Sequence, residues 1–165
     1  MELQACMNEY RRQLEKGVIQ VAYRGLMEYM MALRAHMANR YPSYFVSGSL
    51  YYGTMDMTYF ACTPESLGRH KLKVAVVFVH DAFRFEAWLA AANKRVQADY
   101  WRQLQESHWD KYPIVPTTKG VDSIVEHILA ADPDFSDLDS LTGQIERETL
   151  RLIEDVESFL AEHAG

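Results

Sequence analysis

A chain of 165 residues supports one hydrophobic core and is too short for two comfortable ones. Hydrophobic content of 48% and charged content of 24% are globular values, and a net charge of −6 disfavours a protein that grips nucleic acid through phosphate contacts. Two cysteines, Cys6 and Cys62, build no disulfide framework and no CxxC pair, so the expected compartment is reducing.

The charge is uneven along the chain. Residues 121–165 carry 12 Asp/Glu against Arg147 and Arg151, a local balance of −10, which leaves +4 on the first 120 residues. The simplest reading is a solvated acidic face on the last helix. The amino-terminal residues lack the basic region and apolar run of a signal peptide, and no apolar stretch reaches the roughly 20 residues of a membrane helix. A cytoplasmic location is the expectation.

In chain order, Leu3, Met7, Tyr10 and Leu14 recur at three- and four-residue steps and predict a first helix, which Gly17 ends or kinks. Ile19, Tyr23, Leu26, Met30, Leu33 and Met37 predict a second, stopped at Tyr41-Pro42 because a residue before proline is pushed out of the helical region. Residues 44–51 alternate, Tyr52-Gly53-Thr54 supplies a turn, and Met55–Cys62 is rich in aromatic and β-branched types, so an antiparallel hairpin is expected. A short helix after Pro64 precedes Leu72–Val79, an apolar run that reads as a strand buried on both faces. Phe85, Leu89, Ala92, Val96, Tyr100 and Leu104 fit a long crossover helix over Arg84–Glu106. Tyr112–Pro116 reads as an extended connection. Val121–Leu129 fits either state and is assigned to a strand, because a crossover helix needs one to return to. Leu141, Ile145, Thr149, Leu152, Val156 and Phe159 define the final helix, with Asp137, Asp139 or Ser140 as its cap.

The expected fold is therefore α+β (α/β-like): one globular domain over 1–165 with a small mixed sheet of about four strands, helices on both faces, and the order ααβββαβα. An open sheet of that kind forms its crevice at a strand's carboxyl end, here His80-Asp81.

Four segments, Ala22–Met31, Met55–Phe60, Arg84–Ala90 and Pro133–Asp139, together resemble an uncharacterised family of small bacterial proteins. The likeness spans nearly the whole chain and implies a stand-alone bacterial domain, without implying an activity. The element order also resembles the core of the PD-(D/E)XK nuclease-like fold, in which carboxylates and a lysine hold a divalent metal against a phosphate. Asp56 stands where the first carboxylate of that family falls. The middle of the third strand, Val74–Phe78, carries neither acid nor lysine, so Glu86 and Lys94 are the displaced partners such a site would need.

Asp56, His80, Glu86 and Lys94 are thus the candidate catalytic residues, with His80 able to act as a base or ligand beside Asp81 and Arg84. Tyr52, Tyr59, Arg84, Trp88 and Asn93 are the candidates for lining a planar-ligand pocket. The six histidines show no metal-binding spacing and the glycines no phosphate loop, so no metal site and no cofactor are assigned. The expected function is a cytoplasmic binding or interaction protein, with a degenerate metal-dependent phosphodiesterase as the alternative. A homodimer through the amino-terminal helices is the expected assembly.

Overall fold

The computed structural model describes residues 1–163. Its elements are α1 (Leu3–Glu15), α2 (Val18–Arg40), β1 (Phe45–Val46), β2 (Met57–Thr63), α3 (Glu65–Gly68), β3 (Leu72–Val79), β4 (Arg84–Ala91), α4 (Lys94–Glu106), β5 (Ser123–Ala130) and α5 (Leu138–His163). The fold is α+β. The five strands lie in the order β1-β2-β3-β4-β5, and every neighbouring pair is antiparallel.

Three details of the expected fold change for one reason. The segment from Arg84 is not a long helix; it is strand β4 up to Ala91, and α4 starts only at Lys94. Four residues, His80 to Phe83, join β3 to β4, far short of the dozen or so that a parallel crossover takes. The mixed, roughly four-stranded sheet is accordingly a five-stranded antiparallel meander. Asn93 marks the true helix start, its side chain accepting the Val96 N–H at 2.9 Å.

Alternation along the strands sorts the sheet into two faces. Leu72, Val74, Val76 and Phe78 of β3 pair in register with Ala91, Leu89, Ala87 and Phe85 of β4, and these point into the core. α2 closes over this face with Tyr29, Met30, Leu33 and Met37, and α5 with Leu141, Ile145, Leu152, Val156 and Phe159. Leu104 of α4 joins the same cluster. The opposite face carries no matching helix cover. There Ala75, Val79, Tyr59 and Trp88 are half-buried and Lys73 and Ile128 are exposed, while Val77 and Glu86 are closed off. β3 is central, but its helices lie on one side of it, not both.

Polar ties lock the two covering helices together. Glu146 of α5 accepts hydrogen bonds from Tyr41 and from His36 at 2.8 Å, and pairs with Arg40 at 2.9 Å. Those donors hold the Glu146 carboxyl below its ordinary pKa against the opposing effect of burial. Tyr29 and Thr142 meet at 3.0 Å, and Tyr112 donates to Asp155 at 2.6 Å. Among the described residues no helix is long and apolar enough to cross a membrane.

Ile145 is fully buried between α5 and the sheet. Ile145→Ala should cost about 2–5 kcal/mol, read as a lower urea midpoint with an unchanged slope.

Candidate functional site

Eleven residues of α2 precede its first buried residue, Tyr29. Leu26 and Met27 already pack on the core, so the overhang is the eight residues from Val18 to Gly25, roughly 12 Å of helix. That overhang, the β3–β4 turn and the segment leading into α5 enclose an apolar cavity of about 480 Å³. Its walls are Ile19, Ala22, Tyr23 and Leu26 from α2, Phe78, His80 and Phe83 from the hairpin, and Phe135 and Leu138 from the start of α5.

The aromatic rings contact one another edge to face, which fixes the wall geometry. Phe78 meets Phe83 at 5.2 Å and Phe85 at 5.1 Å between centroids, and Phe135 meets Tyr29 at 6.1 Å. Phe83 is unusual. It is 60% exposed and has φ 52°, in the left-handed region, which costs a side chain of this kind about 1–2 kcal/mol.

His80 brings the imidazole to the cavity wall beside the hydroxyl-bearing Tyr23 and Tyr29, and its hydrogen bonds determine its tautomer. Thr58 has one hydroxyl proton, which it donates to the Tyr52 carbonyl at 2.7 Å. The 2.9 Å contact between Thr58 Oγ1 and His80 Nε2 then has the imidazole as donor. In the neutral ring Nδ1 is therefore an acceptor. Arg34 Nε is the sole buried side-chain nitrogen or oxygen lacking a partner among the described residues, so Nδ1, which makes no hydrogen bond, lies open. Burial pushes the His80 pKa below its ordinary value, more than the nearby Asp56 and Asp81 charges raise it. Tyr23 stacks on the ring at 6.5 Å and Phe78 meets it edge-on at 5.1 Å.

Asp56 lies beside this site without entering its wall. Its backbone carbonyl accepts the His80 N–H at 3.0 Å, and its carboxylate accepts the Thr54 N–H at 2.9 Å, a bond that lowers its pKa. The turn needs Gly53, whose φ is 72° and where a Cβ would lie 2.1 Å from the Met57 carbonyl oxygen. Glu86 is on the other face of the sheet, buried, accepting from Arg84 at 2.7 Å and from Trp88 Nε1 at 2.8 Å. Lys94 sits at the far end of β4 and donates to the Thr118 and Val121 carbonyls. The four candidate catalytic residues thus occupy three separate places. Among the described residues no group of three or more His, Cys, Asp or Glu side chains is placed to hold a metal ion.

The candidate pocket residues are also dispersed. Tyr59, Arg84 and Trp88 share the outer sheet face, Tyr52 is exposed in the loop after β1, and Asn93 caps α4. The cavity residues Tyr23, Phe83 and Phe135 were not singled out by sequence reasoning as a site. A signal was present, since three of the four segments that carry the family resemblance, around Ala22, Thr58 and Phe135, converge at this end of the molecule.

Fold and site together define an α+β protein with an apolar, aromatic-walled cavity at a hairpin tip. The chain belongs to the family described as Domain of unknown function (DUF7000), which matches residues 3–160. No curated protein and no solved structure matches it significantly.

Because the His80 pKa is lowered by folding, the unfolded chain takes up this proton first as pH falls through the ordinary value of 6.5, and the fold loses stability there. The melting temperature of the wild type should fall more than that of His80→Gln between about pH 7.5 and about pH 5.5; equal falls would remove His80 as the cause. Phe83→Gly relieves the left-handed strain and loses edge contacts of similar size, so its urea-derived stability should stay within about 1 kcal/mol of wild type.

Proposed function

We propose that this is a bacterial cytoplasmic binding protein whose cavity takes a small molecule with an apolar, ring-containing body and one hydrogen-bond donor. The observation that carries the reading is His80 in a largely apolar, aromatic wall, with its Nε2 proton committed to Thr58 and no hydrogen bond on Nδ1. A volume of about 480 Å³ lies within the range of small-molecule sites, which pair apolar linings with a few placed polar groups. A neutral imidazole with its proton committed to Thr58 offers a guest only a lone pair. It therefore favours a hydroxyl or N–H over a carbonyl or carboxylate. No reacting pair of side chains borders the cavity, so the reading is binding and not turnover.

The test uses N-phenyl-1-naphthylamine, an apolar fluorophore with one N–H. Saturable fluorescence enhancement at one site per chain is expected. Ala22→Trp, which fills the cavity from α2, should weaken it by about tenfold or more while the melting temperature holds. In competition, 4-hydroxybiphenyl should displace the probe about three- to tenfold better than biphenyl, and His80→Phe should erase that difference. No saturable binding by the wild type, or equal binding by Ala22→Trp, would overturn the proposal.

A further inference from the structure

We infer, resting on the binding reading above, that the guest of the His80 cavity is a protonated amine, with its ring-bearing body inside and its N–H on the imidazole. Apart from His80 the wall holds no acid and no base, so the sign of a guest is decided at the rim. Carboxylates predominate there. Asp81 follows His80 in the β3–β4 turn, Asp134 precedes Phe135, and Asp137 and Asp139 flank Leu138; all four are exposed. The Asp56 carbonyl accepts the His80 N–H at 3.0 Å, which brings a fifth acid to the imidazole. Backbone and hydroxyl donors hold the Asp56 and Asp134 carboxyls below their ordinary pKa, so both stay ionised at neutral pH.

The bases nearest in sequence do not offset these acids. Arg84 follows Phe83, but its side chain lies on the other face of the sheet and donates to Glu86 at 2.7 Å. Arg24 and Glu28 stand two residues either side of Leu26, about 160° round the helix from it, and point away from the cavity. Lys16, three residues before Ile19, lies within reach of Glu9 of α1. The charges that act on His80 itself are those of Asp56 and Asp81, with no base among them. An anionic guest would therefore meet like charge at the rim and a lone pair at Nδ1. A cation meets the reverse, and the Tyr23 ring stacked on the imidazole at 6.5 Å offers it a π face. Position limits the cost of desolvating that cation. His80 is half-buried at a hairpin tip, so an ammonium held there keeps part of its water while the apolar body enters the wall.

Isothermal titration calorimetry of the full chain at neutral pH is the test, run beside the N-phenyl-1-naphthylamine titration with four ligands on one biphenyl body. N,N-dimethyl-4-phenylbenzylamine carries a charge and one N–H, 4-phenylbenzyl alcohol a donor without charge, trimethyl(4-phenylbenzyl)ammonium a charge without a donor, and 4-phenylbenzoate a negative charge. The dimethylamine should bind about fivefold or more tighter than the alcohol and the quaternary ion, with the benzoate weakest. Asp81→Lys should remove most of the amine's advantage over the alcohol, while the alcohol's own affinity holds within about twofold and so shows an intact cavity. Sodium chloride at about 0.5 M should narrow the same gap. An alcohol or benzoate that binds as tightly as the amine, or an advantage untouched by Asp81→Lys, would overturn the charge assignment alone, with fluorophore binding left standing. Failure of the fluorophore together with all four ligands would overturn the cavity reading as well.

Discussion

One-sided burial of the antiparallel sheet governs the molecule. Phe60, Val76, Phe78, Phe85, Ala87 and Leu89 present one continuous apolar surface, and water is excluded from it only because α2 and α5 lie across it. Each large side chain buried there contributes about 1.5–3 kcal/mol. With both long helices drawn to the same side, they must share a footprint set by five strands. Whatever length they have beyond that footprint projects past it, which is why the amino-terminal part of α2 overhangs and why a cavity opens beneath it.

The polar residues maintain this arrangement. Glu146 gathers three donors from the end of α2, so the helix is fixed at the end opposite its overhang. Tyr112 and Asp155 pin the long connection before β5 to α5. At the other end the hairpin tip is held by Thr58, Tyr52 and the Asp56 backbone, which leaves His80 little freedom to turn. A rigid tip facing a projecting helix is a geometry in which the walls of a pocket are preset by the fold and do not depend on an occupant.

Much of the fold was legible from residue patterns, because wherever one face of an element is strongly apolar only one period fits. The α5 stripe, the α2 stripe and the β3 run are of this kind, and all three elements form as read. Arg84–Ala91 was misread because Phe85 and Leu89 satisfy the helical i, i+4 spacing while Phe85, Ala87 and Leu89 satisfy alternation equally well. Alanine and glutamate then tilt a local reading towards helix. What decides the matter is non-local: β3 has hydrogen-bonding groups along both edges, and β4 is the neighbour that satisfies one of them. The site was legible only at His80, which follows directly from β3. Its other walls come from residues 19–26 and 135–138, segments more than a hundred positions apart whose approach depends on where two helices cross one sheet.

The two cysteines end up in opposite chemical situations. Cys62 is sealed inside the β2 layer, and desolvation pushes its thiol pKa up to about 12, so almost none of it is thiolate at neutral pH. Cys6 lies on α1 and is half-exposed. The chain therefore contains a single reachable thiol, on α1, and thiol-directed reagents or spin labels applied to the unmodified protein will report on that helix alone.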